Sequence, residues 1–188
     1  VPLKVSVFIS SVAPHADTTR VYATGHSNGS LMTWATACRY ASRFAAIAPV
    51  GYMFAPLPEL DPAVLLPTWA FLGEYDSAGV AELVGDNGTG KALQGWNAHN
   101  ATNEAAVAES TSYDGAFVTK SFMGGNAPLV QYTVVKDTPH VYLQEESVAI
   151  WNEFFSRYSR GADGTLYYQG NAVTAGKHQP SADWYAAK

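Results

Sequence analysis

Residues 20–29 read Arg-Val-Tyr-Ala-Thr-Gly-His-Ser-Asn-Gly, and the predicted fold class rests mainly on this segment. Residues 21–24 have the composition of a short buried strand, and residues 28–43 are proline-free and mostly apolar or small, which predicts a helix. Between them, residues 25–29 fit the G-x-S-x-G pattern. A nucleophile elbow needs this order of strand, tight turn and helix, because the turn lifts a serine hydroxyl above the sheet edge. The stretch therefore predicts Ser27 as a nucleophile, with a plain strand-to-helix turn as the alternative.

The rest of the chain alternates between strand-like and helix-like patterns. Further candidate strands lie at 44–50, 68–72 and 129–135, and further candidate helices at 5–12, 91–100, 105–109 and 143–158. Strands that alternate with helices predict an α/β fold with a parallel sheet flanked by helices. Residues 161–188 are polar and aromatic without a period, so we predict one domain over 1–160 and a carboxyl-terminal arm or linker over 161–188.

A serine nucleophile needs a general base, and the base needs a carboxylate that orients it. On a strand–turn–helix elbow the acid follows the serine in the chain and the histidine comes last. Asp76 follows the candidate strand 68–72, and His140 follows the candidate strand 129–135. Both therefore lie at the carboxyl edge of the predicted sheet, where such sites collect. Glu74 in the same loop is an alternative acid, and turn or loop roles remain open for Asp76 and His140.

Composition and charge argue against several classes of protein. The 188 residues carry 11 Lys and Arg against 16 Asp and Glu, a net charge of −5, so no basic surface is expected for nucleic acid. No apolar run approaches the roughly 18–20 residues that a membrane span needs. The single cysteine, Cys38, rules out an internal disulfide scaffold. No His, Cys and carboxylate cluster has metal-ligand spacing, so we expect neither a metal nor a cofactor.

Two loop motifs give further hypotheses. Residues 85–91 match the glycine and lysine spacing of a phosphate-binding loop, but Ala92 stands where that motif needs a hydroxyl, which disfavours nucleotide binding. Glycosylation sequons begin at Asn87 and Asn100 in polar stretches. The sequons favour a secreted, extracellular protein.

Several blocks of the chain resemble the polyhydroxybutyrate depolymerase-like esterases, which are α/β-hydrolases grouped with feruloyl and acetylxylan esterases. The resemblance covers about residues 5–158, and its most specific part is the stretch 20–29. The other matching blocks are residues 38–40, 44–50, 67–68, 73–76, 96–97, Asn100, 132–134, His140, 150–151 and 154–155. The resemblance implies that Ser27 is the nucleophile, Asp76 the orienting acid and His140 the general base.

The resemblance also implies the rest of the site. The backbone N–H of Asn28 would be one oxyanion-hole donor, and His26, Tyr52 and Tyr142 would shape the substrate pocket. Ser30 departs from the family, which usually has a second glycine after the elbow.

An α/β-hydrolase places four strands ahead of the nucleophile, so the chain is expected to be the carboxyl-terminal part of that fold, lacking its first strands. A complementing amino-terminal segment or chain is then an expected partner. The expected activity is hydrolysis of carboxylic esters of the polyhydroxyalkanoate or feruloyl- or acetyl-polysaccharide type. The alternative is a catalytically silent hydrolase fragment that acts as a binding or structural module.

Overall fold

The structure is a computed structural model, and it describes residues 15–76, 91–102 and 107–174. The strands in this part of the chain are β1 (Tyr22–His26), β2 (Ala46–Val50), β3 (Thr68–Gly73), β4 (Val107–Ser112), β5 (Phe117–Gly124), β6 (Ala127–Val135), β7 (Tyr158–Arg160), β8 (Leu166–Tyr168) and β9 (Asn171–Ala172). The α-helices are α1 (Asn28–Arg39), α2 (Lys91–His99) and α3 (Gln144–Ala149). Shorter turns are the 3₁₀ segments Ala41–Arg43 and Phe155–Arg157 and the π-helical segment Ile150–Phe154.

Six strands form one sheet in the order β1-β2-β3-β6-β5-β4. The first four of these run parallel to one another, and β5 and β4 are antiparallel additions at one side. Strands β2 and β3 are buried at every position, as parallel strands covered on both faces must be. The protein is thus a mixed α/β fold with a mostly parallel sheet flanked by helices, which confirms the predicted fold class at this level.

Alternate residues of β3 enter two separate apolar clusters, one on each face of the sheet. On one face Trp69 and Phe71 pack with residues of α3 and its continuation, among them Ile150 and Phe154. On the other face Ala70 and Leu72 pack with residues of α1 and α2. The sheet is therefore covered on both sides, and its strand ends are left for a site.

Most of the predicted strands and helices agree with the structure, although their bounds differ by a few residues. The helix predicted over 28–43 ends at Arg39, because Tyr40 leaves the helical region with φ −132°. The prediction for residues 105–109 was wrong, because β4 begins at Val107 and its six residues are all exposed or partly exposed. The helix predicted over 5–12 lies outside the described residues.

The predicted helix over 143–158 is broken into shorter pieces. Regular α-helix stops at Ala149, and the chain passes through the π-helical and 3₁₀ segments into β7. Tyr158 is fully buried, and its hydroxyl donates to the Pro128 carbonyl at 2.5 Å. Its own carbonyl accepts a hydrogen bond from the Tyr22 hydroxyl at 2.6 Å. Tyr158 thus links β7 to β1 and β6, and residues 158–160 form a strand by pairing with residues 166–168.

The boundary predicted at residue 160 falls inside a second, three-stranded sheet of β7, β8 and β9. Leu166 of β8 is buried in the main apolar cluster, so residues 161–174 belong to the packed structure rather than to an arm. The buried guanidinium of Arg160 donates to the carbonyls of Phe44 at 2.7 Å, Gly164 at 3.0 Å and Leu65 at 2.5 Å. Residues 175–188 lie outside the described part. No helix in the described ranges is long and apolar enough to cross a membrane.

Candidate active site

Ser27 lies in a strained turn between β1 and α1. Its φ of 56° and ψ of −115° belong to a region that L-residues rarely adopt and that is associated with functional sites. The Ser27 N–H donates to the Val50 carbonyl at 3.0 Å, which fixes the turn against the end of β2. A Cβ on Gly25 would lie 2.6 Å from the carbonyl group of Gly29, whereas a Cβ on Gly29 would meet nothing within 4 Å. Gly25 is therefore the glycine that this turn requires.

Helix α1 begins at Asn28, immediately after the serine. The N-terminal end of a helix presents unsatisfied N–H groups and a partial positive charge, which favour an anion at this turn. The buried Ser30 hydroxyl donates to the Tyr52 carbonyl. Ser30, where the resembled family usually has glycine, thus joins the start of α1 to the loop that follows β2.

Asp76 and His140 are in direct contact. His140 Nδ1 lies 2.5 Å from Asp76 Oδ2, with Asp76 buried and the imidazole one-third exposed. The loops that carry them meet closely: the Tyr75 N–H donates to the Thr138 carbonyl at 2.9 Å, and a Cβ on Gly73 would lie 2.3 Å from that same oxygen. The lack of a side chain at Gly73 therefore lets the end of β3 approach the loop after β6.

Glu74, the alternative acid, has a different partner. Its Oε2 accepts a hydrogen bond from the Asp137 N–H at 2.9 Å. The Asp137 carboxylate in turn accepts the Tyr75 hydroxyl at 2.7 Å. Glu74 thus holds the two loops together, and the carboxylate in contact with His140 is that of Asp76.

The three residues predicted to shape the pocket lie around His140. Its ring centroid is 4.6 Å from that of His26 and 5.0 Å from that of Tyr52, and Tyr142 is 6.2 Å from His26. Burial, followed by the nearby His140, lowers the pKa of His26, which favours its neutral form. Its Nε2 is buried with no hydrogen-bond partner among the described residues.

Gly51 contacts His140, a role that the sequence analysis missed. A Cβ at this position would lie 2.7 Å from His140 Cε1, and the φ of +87° also favours glycine. Gly51 directly follows Val50, whose carbonyl accepts the Ser27 N–H. The glycine directly after a buried strand was the available signal. Gly51 is thus the point at which the serine turn and the histidine loop come together.

Ser27, Asp76 and His140 follow β1, β3 and β6, three parallel strands of one sheet. Their placement at the carboxyl ends of the strands puts all three at the same edge. Among the described residues, the Ser27 hydroxyl makes no hydrogen bond. The serine turn is joined to the histidine loop through the backbone instead, because the Ser27 N–H bonds the Val50 carbonyl and the next residue, Gly51, lies against the His140 ring. The arrangement can hold a histidine tautomer with Nδ1 protonated and leave Nε2 to accept a proton.

The remaining predicted sites have mixed outcomes. Asn100 is fully buried, and its side-chain amide exchanges two hydrogen bonds with the backbone of Leu66 at 2.8 and 3.0 Å. A glycan cannot be attached to such an amide in the folded chain, so the prediction for Asn100 was wrong.

Asn87 and most of the phosphate-loop motif at 85–91 lie outside the described residues. Within the described ranges, no three His, Cys, Asp or Glu side chains are grouped to hold a metal.

No protein-family model matches the sequence, and no curated protein is significantly similar to it.

Proposed function

We propose that this chain is a serine hydrolase of carboxylic esters with an α/β-hydrolase fold, in which Ser27, His140 and Asp76 act together. The 2.5 Å contact between His140 Nδ1 and Asp76 Oδ2 carries the proposal. A buried carboxylate on Nδ1 orients the ring and stabilises the imidazolium that forms when Nε2 takes a proton. The strained turn at Ser27 supports the role of nucleophile.

In the first step, His140 Nε2 takes the Ser27 hydroxyl proton while Oγ attacks the ester carbonyl. The carbonyl oxygen becomes an oxyanion, which the backbone N–H of Asn28, the first residue of α1, would stabilise. The tetrahedral intermediate collapses as the C–O bond to the alcohol breaks, and His140 gives its proton to the leaving oxygen. Ser27 then carries the acyl group.

In the second step, His140 takes a proton from water, and the resulting hydroxide attacks the acyl carbonyl. The second tetrahedral intermediate releases the carboxylic acid, and His140 returns the proton to Ser27 Oγ. The enzyme is restored without a cofactor in either step. The aromatic rings of Tyr52 and Tyr142 lie beside His26 and His140 and are suited to an acyl or aromatic group of the substrate. By the resemblance in sequence, that group would come from a polyhydroxyalkanoate or from a feruloyl or acetyl ester of polysaccharide.

The test is hydrolysis of p-nitrophenyl acetate and butyrate by the wild-type chain and by Ser27→Ala, combined with labelling by a fluorophosphonate. We expect turnover and a single label on Ser27, both lost in the variant. Asp76→Asn is expected to lower the rate by about 10⁴-fold, because the imidazole loses its orienting charge. Glu74→Gln is the matched control, since Glu74 lies in the same loop and bonds Asp137 instead of His140.

Equal activity in Ser27→Ala would overturn the proposed mechanism. Absence of both turnover and labelling in the folded wild-type chain would instead support the silent binding module.

A further inference from the structure

A groove of about 430 Å³ lies over the antiparallel side of the large sheet. Strands β4, β5 and β6 form its floor and one wall, and the segment after α3 forms the opposite wall together with Tyr168 of β8. None of Ser27, Asp76 and His140 lines the groove. Its volume falls within the range of small-molecule sites, about 300–1,000 Å³. The groove is therefore a separate candidate site.

The floor is polar on a face of the sheet that is otherwise apolar. Ser110 pairs with Thr119 across β4 and β5, and Ser121 pairs with Gln131 across β5 and β6, so these side chains share one face. Trp69 lies on the same face, opposite Gln131, and belongs to the apolar cluster under α3. Ser110 is exposed on the outermost strand, and the buried Thr119 hydroxyl bonds the Thr133 hydroxyl at 2.7 Å. The floor groups that a ligand could reach are therefore those of Ser110, Ser121 and Gln131.

The hydrogen bonds of the floor leave groups free for a ligand. Gln131 Nε2 donates to Ser121 Oγ at 3.0 Å, so the Ser121 hydroxyl hydrogen and the Gln131 carbonyl oxygen remain available. Neither has another partner within the part of the chain that the structure describes. The side chain of Ser110 likewise makes no hydrogen bond to a described residue. The floor therefore presents donors and acceptors at neighbouring positions.

The wall adds one cation, Arg157, and one carboxylate, Glu153, with no ion pair between them. Arg157 is half-buried in the groove, and its guanidinium makes no hydrogen bond or ion pair with any described residue. Three residues later, the guanidinium of Arg160 is satisfied by three carbonyls. Glu153, one turn before Arg157 in the π-helical segment, is exposed and also unpaired within the described ranges. A half-buried guanidinium with unused donors fits a carboxylate in a bidentate manner.

From these contacts we infer that the groove binds a small polyhydroxylated carboxylate, of the sugar-acid class. The ligand carboxylate lies on Arg157, and its hydroxyl groups bond Ser121, Gln131 and the exposed carboxylate of Glu153. Tyr168 supplies aromatic surface at the end of the groove. This binding is independent of the proposed esterase activity, because the groove and the serine site share no residue.

The experiment is titration of the full chain with D-glucuronate, followed by NMR chemical shifts, with D-glucose and acetate as matched probes. Glucose lacks the carboxylate, and acetate lacks the hydroxyl groups. We expect saturable glucuronate binding that is at least about tenfold weaker for either probe, because each loses one set of charge-assisted or neutral hydrogen bonds.

Arg157→Gln is expected to weaken glucuronate binding at least about tenfold with an unchanged melting temperature, since this side chain bonds no described residue. Ser121→Ala is the second variant, and it should weaken binding of glucuronate but leave acetate unaffected. Ser27→Ala should bind glucuronate as the wild type does. The inference is overturned if glucuronate does not saturate, if acetate binds as tightly as glucuronate, or if Arg157→Gln binds equally well.

Discussion

Replacement of Glu146 by Gln tests how the loop after His140 is joined to α3. The Glu146 side chain is only 1% exposed, and its Oε2 accepts the Leu143 N–H at 2.9 Å, which caps the start of the helix. No Lys, Arg or His among the described residues forms an ion pair with it. Burial is the main cause that raises the pKa of Glu146 from 4.5 to about 7, against the smaller lowering effect of the Leu143 hydrogen bond.

The sign of the pH effect follows from this raised pKa. Between pH 4.5 and pH 7 the folded chain keeps a proton on Glu146 that the unfolded chain has released. The stabilising contribution of the protonated carboxyl is therefore complete at low pH and is lost as the pH rises through the folded-state pKa. A difference of about 2.5 pKa units at 1.36 kcal/mol each sets an upper bound of about 3 kcal/mol on the loss. Glutamine has no ionised form, and its amide oxygen can still accept the Leu143 N–H.

The assay is urea unfolding of the wild type, Glu146→Gln and Glu145→Gln at pH 4.5 and pH 8. Glu145 is the matched control, because it is the exposed neighbour in the same helical turn and undergoes the same chemical change. We expect Glu146→Gln to gain about 2–3 kcal/mol relative to the wild type on going from pH 4.5 to pH 8, and Glu145→Gln to gain much less. The reasoning is refuted if the free energies of unfolding of Glu146→Gln and of the wild type change equally with pH.

Three further substitutions or measurements test the packing. In urea unfolding, Gly25→Ala should lower the free energy of unfolding by about 1–3 kcal/mol, because its Cβ meets the backbone of Gly29 2.6 Å away. Gly29→Ala should leave the free energy of unfolding unchanged or raise it by up to about 1 kcal/mol, since its Cβ meets nothing within 4 Å. Equal losses in the two variants would contradict the geometry of the turn. Arg160→Met should lower the free energy of unfolding by at least about 3 kcal/mol in the same assay, because three backbone carbonyls lose their hydrogen-bond donor. A decrease of less than about 1 kcal/mol would be inconsistent with these buried contacts. Burial raises the pKa of Cys38 to about 11, so its thiol should react with Ellman's reagent far more slowly in the native chain than in urea, and equal rates would show that the core around it is open.

The parallel part of the fold was predictable because its signals are local. Strands β2 and β3 are short, fully buried apolar runs, and a tight turn marks the end of β1. The parallel direction of these strands then places Asp76 and the serine turn at one edge. His140 follows by the same rule, since β6 runs parallel to β3. This step requires only that the strands run parallel, and does not depend on which strand pairs with which.

The antiparallel part was not predictable from the same signals. Strand β4 has no buried residue, and β5 was overlooked because it mixes buried phenylalanines with threonine, lysine and serine. These strands are stabilised by pairing with β6, which is a non-local interaction that composition does not report. The sequon at Asn100 misled for a related reason, because a sequence pattern carries no information on burial. Residues 161–174 of the predicted arm pack on the main apolar cluster through Leu166 and Tyr168, and such contacts between distant parts of the chain leave no local signal in the sequence.

Arg157 and Arg160 show why residue type alone does not decide between structure and function. Both follow the π-helical segment, and both are withdrawn at least partly from solvent. The Arg160 guanidinium donates to three backbone carbonyls from separate parts of the chain, so replacing Arg160 should lower the free energy of unfolding. Arg157 lines the polar groove, and its guanidinium makes no hydrogen bond to a described residue. Replacing Arg157 should therefore weaken ligand binding and leave the free energy of unfolding unchanged. A substitution that changed stability at Arg157 and left it unchanged at Arg160 would contradict both assignments at once.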